Sequence, residues 1–309
     1  MKKGTRRREM KMPANLIRAL GRGLLLSICI ATALNCRASG DRGSVPVSND
    51  FVNPQPVQIS GYNGDAMEPF LTRDGKILFF NNSNDPHVNT NLHWATRVDD
   101  LTFQYQGEIQ GVNTGALEGV ASMDRNNIFY FVSNRSYDQT SSTIYRAIYK
   151  NGGLGGVELA PGVSIAKPGI VNFDAEISAD GNTLYFVESQ FSRGQPKSAV
   201  ILLARKAGAG FVRAAESAKV MELINAHGLN YAPSSSASEL ELFFTRVDGG
   251  APAIFVATRS GTSAPFGQPL KIAAITGFAE APTLSPDEKS FYFHKMDNGH
   301  FRIYRVTRK

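Results

Sequence analysis

A short apolar strand pattern that contains an aromatic pair occurs five times in this chain. The matching aromatic residues of successive copies lie 51, 55, 58 and 49 residues apart, at Phe79, Tyr130, Tyr185, Phe243 and Tyr292. A near-constant period of this length is typical of repeat architectures, in which each repeat is one unit of supersecondary structure. We therefore expect five similar units that bury their apolar faces against one another.

Other features keep a fixed position relative to each aromatic pair. A turn precedes the pair in every copy, at Asp74, Asp124, Asp180, Ser238 and Asp287. One strand lies before the turn, a third strand follows the pair, and a weaker fourth strand follows in most copies. Four short strands joined by hairpins form one blade of a β-propeller. The sequence thus predicts an all-β, five-bladed propeller of four-stranded antiparallel blades.

The start of the repeat region supplies a strand for the end of it. The fifth copy reaches Lys309 directly after its third strand, whereas residues 51–59 resemble residues 266–272, the predicted outer strand of the fourth copy. We expect the N-terminal strand to complete the fifth blade and to close the ring, which protects the strand edges. Pro54 and Pro56 suit an outer strand, where a missing N–H group costs little.

The N-terminal segment has the pattern of an export signal. Residues 1–22 are rich in Lys and Arg, and residues 24–34 are apolar, which is typical of a secretory signal and too short for a spanning helix of about 20 residues. The stretch from Ala33 to Cys36 resembles the lipobox of bacterial lipoproteins, with Asn35 in place of the usual small residue. We predict a signal peptide over 1–35, lipidation at Cys36, a flexible tether over 36–50 and the propeller over 51–309.

Charge excludes one class of partner. Residues 1–35 hold eight of the 33 Lys and Arg residues and one of the 27 Asp and Glu residues. The rest of the chain therefore carries 25 basic and 26 acidic residues, a net charge of −1. Nucleic-acid binding needs a basic face, so we expect no nucleic-acid partner.

Three stretches resemble a known repeat. Residues 130–135, 174–186 and 281–287 are similar to the WD40-like (PD40) repeat of TolB-type propellers. The resemblance implies a propeller of the bacterial cell envelope, in the periplasm or on the outer membrane. A TolB propeller has six blades and a separate N-terminal domain, so the resemblance does not imply the role of TolB itself.

The inner strands of a propeller line its central channel, so residues of the first strand of each repeat are expected to face that channel. The residues six positions before the five turns are Glu68, Glu118, Asp174, Ala232 and Ala281. Five-bladed propellers that resemble furanosidases use three channel carboxylates, so Glu68, Glu118 and Asp174 are candidate catalytic residues for glycoside hydrolysis. The same acids could instead hold a cation or accept hydrogen bonds from neighbouring backbone amides.

The remaining motifs point to no cofactor and no metal. The histidines lack zinc-ligand spacing, and His294 and His300 are expected on the surface. The polar loop 81–91 does not follow the ligand order of a calcium loop. Two functions stay open: a non-catalytic envelope scaffold that binds a protein or a saccharide, and a carbohydrate hydrolase centred on the channel.

Overall fold

The computed structural model describes residues 45–84, 88–192 and 195–309. These residues form five sheets, one for each sequence repeat, which confirms the five-bladed propeller. The predicted signal peptide and Cys36 lie outside the described residues. No helix in the described ranges has the length and apolar character needed to cross a membrane.

Each blade is built of four strands, which follow one another from the channel to the outer edge of the ring. Blade 1 consists of β4 Met67–Leu71, β5 Ile77–Asn81, β6 Leu92–Arg97 and β7 Thr102–Glu108. Blade 2 consists of β8 Glu118–Met123, β9 Ile128–Ser133, β10 Ile144–Lys150 and β11 Gly153–Leu159. Blade 3 consists of β12 Ile170–Ile177, β13 Thr183–Ser192, β14 Gln195–Ala207 and β15 Gly210–Arg213.

The last two blades follow the same order. Blade 4 consists of β16 Leu229–Ser235, β17 Glu241–Val247, β18 Ala253–Thr258 and β19 Leu270–Ile272. Blade 5 consists of β20 Ala279–Leu284, β21 Ser290–Asp297, β22 His300–Arg308 and β2 Phe51–Pro56. Two single-turn helices lie in connections, α1 Tyr137–Thr140 and α2 Ser217–Val220.

The N-terminal segment closes the ring, as the sequence predicts. Strand β2 pairs antiparallel with β22, with Phe51 opposite Arg308. Two further short strands extend this closure: β1 Val47–Ser48 lies parallel to β19 of blade 4, and β3 Gln58–Ser60 lies parallel to β7 of blade 1. Residues 47–60 thus contact three successive blades, and the end of the segment predicted as a tether is part of the propeller.

The aromatic pairs form the contacts between blades. Successive residues of a strand point to opposite faces, so the two aromatics of a pair pack against different neighbouring sheets. Phe79 meets Phe129 of the next blade at 5.1 Å between ring centroids, and Tyr292 meets Phe103 at 5.9 Å. These rings are fully buried, and each contributes about 1.5–3 kcal/mol by leaving water.

The ring has two faces with different loops. We call the side of the hairpins between inner and second strands the hairpin face; these hairpins span 72–76, 124–127, 178–182, 236–240 and 285–289. The opposite side, the connection face, carries the loops from second to third strands and the links from each outer strand to the next blade. It includes α1 and α2.

Candidate functional site

Every inner strand has a bulge at the same height in the channel. Pairing with the second strand shifts register there in all five blades. The bulged residues all have φ between 48° and 56°: Glu68, Val120, Asp174, Ala232 and Ala281. Positive φ is uncommon outside glycine and strained for a β-branched residue such as Val120. Bulges re-aim side chains, and here they turn these five towards the channel axis.

Hydrogen bonds between neighbouring blades hold these bulges. The residue that follows each aromatic pair supplies the acceptor in three cases. Asn81 Oδ1 accepts the Val120 amide at 3.2 Å. Thr245 Oγ1 accepts the Ala281 amide at 3.0 Å, and His294 Nδ1 accepts the Glu68 amide at 3.1 Å. Buried amides need such partners.

Asp174 performs this task between blades 3 and 4. The residue after the aromatic pair of blade 3 is Val187, which has no side-chain acceptor. Asp174 Oδ2 instead accepts the Ala232 amide at 2.9 Å. Asp174, which sequence analysis places among the candidate catalytic acids, therefore has a structural hydrogen bond.

Glu68 and Asp174 face a small cavity on the channel axis. The cavity is lined by all five bulged residues and has a volume of about 30 Å³, which is room for about two water molecules at roughly 10–15 Å³ each. Burial raises the pKa of Asp174 well above its usual range, and the charges of Glu68 and Glu280 raise it further. Burial likewise raises the pKa of Glu68. The cavity therefore favours protonated carboxyl groups.

The expectation that His294 lies on the surface is wrong. His294 is fully buried at the seam between blades 5 and 1, beside Glu280 of β20. Because Nδ1 accepts the Glu68 amide, the ring proton lies on Nε2, which donates to Glu280 Oε2 at 3.0 Å. Tyr231 donates its hydroxyl to Oε1 of the same carboxylate. The sequence signal for this chain of hydrogen bonds is the polar residue after the fifth aromatic pair.

Glu68, Glu280 and His294 also form a cluster of possible metal ligands. One carboxylate oxygen of Glu68, one of Glu280 and a ring nitrogen of His294 lie within 4.8 Å of one another. A neutral imidazole that binds a metal through Nε2 carries its proton on Nδ1, yet Nδ1 accepts the Glu68 amide. The donor set therefore does not fit a metal without loss of this bond between blades.

Glu118 does not reach the channel, which corrects its alignment with Glu68 and Asp174. The hairpin of blade 2 is shorter, and Asp124 takes the position held by Thr72 and Ser178 in blades 1 and 3. The true equivalent of Glu68 is therefore Val120, two residues after Glu118.

The carboxylate of Glu118 is bound by side chains around it. It is fully buried, accepts hydrogen bonds from the Thr114 amide and hydroxyl and from the Ser133 hydroxyl, and pairs with Arg135 at 3.1 Å. Glu118 thus ties the link that precedes β8 to the loop that follows β9.

Side chains cover the cavity towards both faces. On the connection face, Asn81 Nδ2 donates to Asn84 Oδ1 at 3.0 Å, and Asn84 Nδ2 donates to Glu68 Oε1 at 2.9 Å. On the hairpin face, Arg73 crosses from blade 1 to blade 3, where it pairs with Glu176 at 3.0 Å and donates to the Ile177 carbonyl at 2.6 Å. A substrate that reaches the two acids would have to displace these groups.

Comparisons with known proteins identify the fold. The chain is similar to a thermostable family-43 glycoside hydrolase, with 14% identity, a TM-score of 0.55, and coverage of 82% of this chain and 92% of that one. Zg3597, a family 117 glycoside hydrolase of the marine bacterium Zobellia galactanivorans, gives 11% identity, a TM-score of 0.55, and coverage of 84% and 90%. The putative TolB of Agrobacterium tumefaciens gives 14% identity, a TM-score of 0.48, and coverage of 85% of both chains.

At these identities the likeness extends to the propeller fold alone. No protein-family model matches the sequence, and no curated protein matches it significantly. Similar folds carry many unrelated functions, so the function has to be argued from the residues themselves.

Proposed function

We propose that this protein is a non-catalytic binding propeller of the bacterial cell envelope, exported and anchored through Cys36, which contacts an envelope protein through its connection face. The observation that carries the choice of face is the presence of two long uncharged links on the connection face, together with four exposed apolar residues. The choice against catalysis rests on the cavity.

The channel is poorly suited to glycoside hydrolysis. Both hydrolase mechanisms need two carboxyl groups on either side of the scissile bond. Glu118 lies outside the cavity, Asp174 holds the Ala232 amide, and Asn84 covers Glu68. Space for about two water molecules cannot take a sugar ring. The similarity in fold to glycoside hydrolases is therefore no reason to propose glycoside hydrolysis for this chain.

The connection face has the composition of a protein-binding surface. Four large apolar residues are between 38% and 49% exposed there: Val88, Ile165, Leu223 and Met296. Two of its links, 109–117 and 273–278, contain no charged residue, whereas each of the five hairpins between inner and second strands on the opposite face contains at least one. Protein interfaces are depleted in Lys, Glu and Asp and enriched in Met and aromatics, and loops on a rigid scaffold carry binding residues.

Site-specific cross-linking in cells tests this proposal. A photoreactive amino acid is placed at Leu223 or Met296 on the connection face, and at Val98, which is 66% exposed in a hairpin of the opposite face, as the control. We expect discrete, protease-sensitive adducts from the first two positions and none from Val98. Adducts that resist protease and dissolve with a glycosidase would instead indicate a saccharide partner. Equal labelling at all three positions would contradict a docking face.

A pair of Asp174 variants separates a structural role from a catalytic one. Asn at position 174 keeps an oxygen for the Ala232 amide and removes a charge from the cavity, whereas Ala leaves that amide without its acceptor. We expect Asp174→Ala to lower the free energy of unfolding by about 1–3 kcal/mol. Asp174→Asn should equal or exceed the wild type at pH 8.

The pH dependence of this pair follows from the raised pKa of Asp174. The folded state holds the proton more tightly than the unfolded state, so the wild type loses stability as pH rises from about 4 through the raised folded-state value. Asp174→Asn lacks this loss, so its gain in free energy of unfolding over the wild type should disappear towards pH 4. Urea unfolding of both proteins at pH 4, 6 and 8 measures this difference. If Asp174→Asn were as unstable as Asp174→Ala at pH 8, the hydrogen bond would not be the role of Asp174.

A further inference from the structure

The channel mouth on the hairpin face has its own set of equivalent residues. These are the residues directly after the first residue of each hairpin: Arg73, Arg125, Ala179, Ala237 and Pro286. All five line a second cavity of about 30 Å³. Blades 1 and 2 contribute guanidinium groups, and the other three blades contribute small side chains that leave the space above the mouth open.

Two arginines at this mouth have guanidinium donors without an acceptor among the described residues. Arg73 uses Nε and Nη2 for the Met123 carbonyl, the Ile177 carbonyl and Glu176, and Nη1 has no bond in the described part of the chain. Arg125 is exposed, and its guanidinium makes no hydrogen bond or ion pair within the described ranges.

Ser235 adds a buried hydroxyl to the same cavity. Ser235 is only 2% exposed, and its Oγ has no partner among the described residues. Its equivalents in the other inner strands are apolar: Leu71, Met123, Ile177 and Leu284. A buried polar atom without a partner costs free energy, so a hydroxyl at a position that is otherwise apolar points to a ligand from outside.

The charges at the mouth select the ligand. The charge of Arg73 is balanced by Glu176 at 3.0 Å, which leaves Arg125 as the available cation. Glu288 lies across the mouth, where its Oε1 accepts the Ala237 amide at 2.7 Å. A group with two negative charges would be repelled by Glu288, whereas a singly charged planar group matches one guanidinium, which binds carboxylates through two parallel hydrogen bonds.

We propose that this mouth is a carboxylate-binding site, in which Arg125, Arg73 Nη1 and Ser235 Oγ bind one carboxylate of an acidic side chain or a chain terminus of a partner. A cavity that holds about two water molecules accommodates the two oxygens of such a group. The site lies on the face opposite the proposed docking surface, so it does not depend on that proposal.

Acetate is the probe for this site. The full chain, labelled with ¹⁵N at alanine and held in non-ionic detergent, is titrated with sodium acetate at constant ionic strength. We expect the amide signals of Ala179 and Ala237 to shift and to saturate in the millimolar range, while Ala253 does not move. Arg125→Gln should weaken binding by about tenfold or more, as expected for loss of a charge-assisted bond.

The control variant is Lys76→Gln, which removes one positive charge from the same face. Lys76 is 78% exposed and does not line the cavity, so acetate binding should be unchanged. Absence of saturable shifts, or equal shifts in Arg125→Gln, would overturn the site. Tighter binding of methyl phosphate than of acetate would overturn the assignment to carboxylates. Because Arg125 is exposed, its variant is expected to keep the wild-type spectrum elsewhere.

Discussion

Phe51→Ala is expected to lower the free energy of unfolding by about 3–5 kcal/mol, as for other buried phenylalanines. The side chain is 2% exposed and packs edge-on against Phe291 at 4.9 Å and Phe243 at 5.6 Å, from blades 5 and 4. The guanidinium of Arg308 stacks on its ring at 4.8 Å. One substitution thus weakens both the packing of β2 and the contact between the last two blades.

Thermal unfolding followed by circular dichroism measures this effect. A loss of this size should lower Tm by roughly 6–20 °C in a domain of this length. Gln55→Ala is the control, because Gln55 is on the same strand but exposed, and it should change stability by less than about 0.5 kcal/mol. Equal Tm values for the two variants would mean that β2 does not hold the ring closed.

Glu118→Ala should have a similar effect through a different cause. The substitution removes a fully buried carboxylate that accepts from four donors, and it leaves Arg135 without its ion-pair partner. Loss of one member of a buried ion pair costs about 3–5 kcal/mol. Denaturant unfolding at neutral pH gives the value directly.

Glu216→Ala is the matched control for Glu118→Ala. Glu216 also pairs with an arginine, Arg205, but its side chain is 45% exposed, and such pairs contribute less than about 1 kcal/mol. If both variants lost the same stability, burial of the Glu118 network would not explain its contribution. If Glu118→Ala kept wild-type stability, the four hydrogen bonds would be dispensable.

The repeat pattern predicted the fold because every blade needs large apolar side chains on its second strand to pack against its neighbours. The aromatic positions Phe79, Tyr130, Tyr185, Phe243 and Tyr292 occupy equivalent places opposite the inner strands. Burial between sheets needs large apolar side chains at this place in each repeat, so the pattern survives differences in loop length. The closing strand was visible for a similar reason, since its sequence resembles another outer strand.

The channel residues were harder to predict because hairpin length decides their alignment. Counting back from Asp124 as if it matched Asp74 placed Glu118 in the channel. The side chain of Asp124 accepts the amides of Asn126 and Ile128 and so closes a shorter turn. A shift of two residues along a strand keeps the face but changes the height, and Glu118 therefore lies above the cavity, towards the connection face.

The hydrogen bonds between blades involve, in three cases, the residue that follows an aromatic pair. The sequence alone did not predict them, because they depend on the bulges in the inner strands. The residues after the aromatic pairs are Asn81, Val132, Val187, Thr245 and His294. Three polar residues in a column of buried strand positions are unusual, but periodicity alone does not say which amide each one meets. The partner amide becomes free only because the bulge interrupts the ladder of the adjacent inner strand.

Closure by β2 also constrains the order in which this chain can reach its final state. Phe51 and Arg308 are neighbours in one sheet although almost the whole domain separates them, and the entropy lost on joining such distant points is about 5 kcal/mol from the length-dependent term alone. The first blade can form early, but the outer strand of the fifth blade, β2, has no partner until β22 has been made. A chain that emerges N-terminus first therefore has to keep β2, residues 51–56, unpaired until β22 has emerged, and ring closure is expected to be the slow, aggregation-sensitive step of its folding.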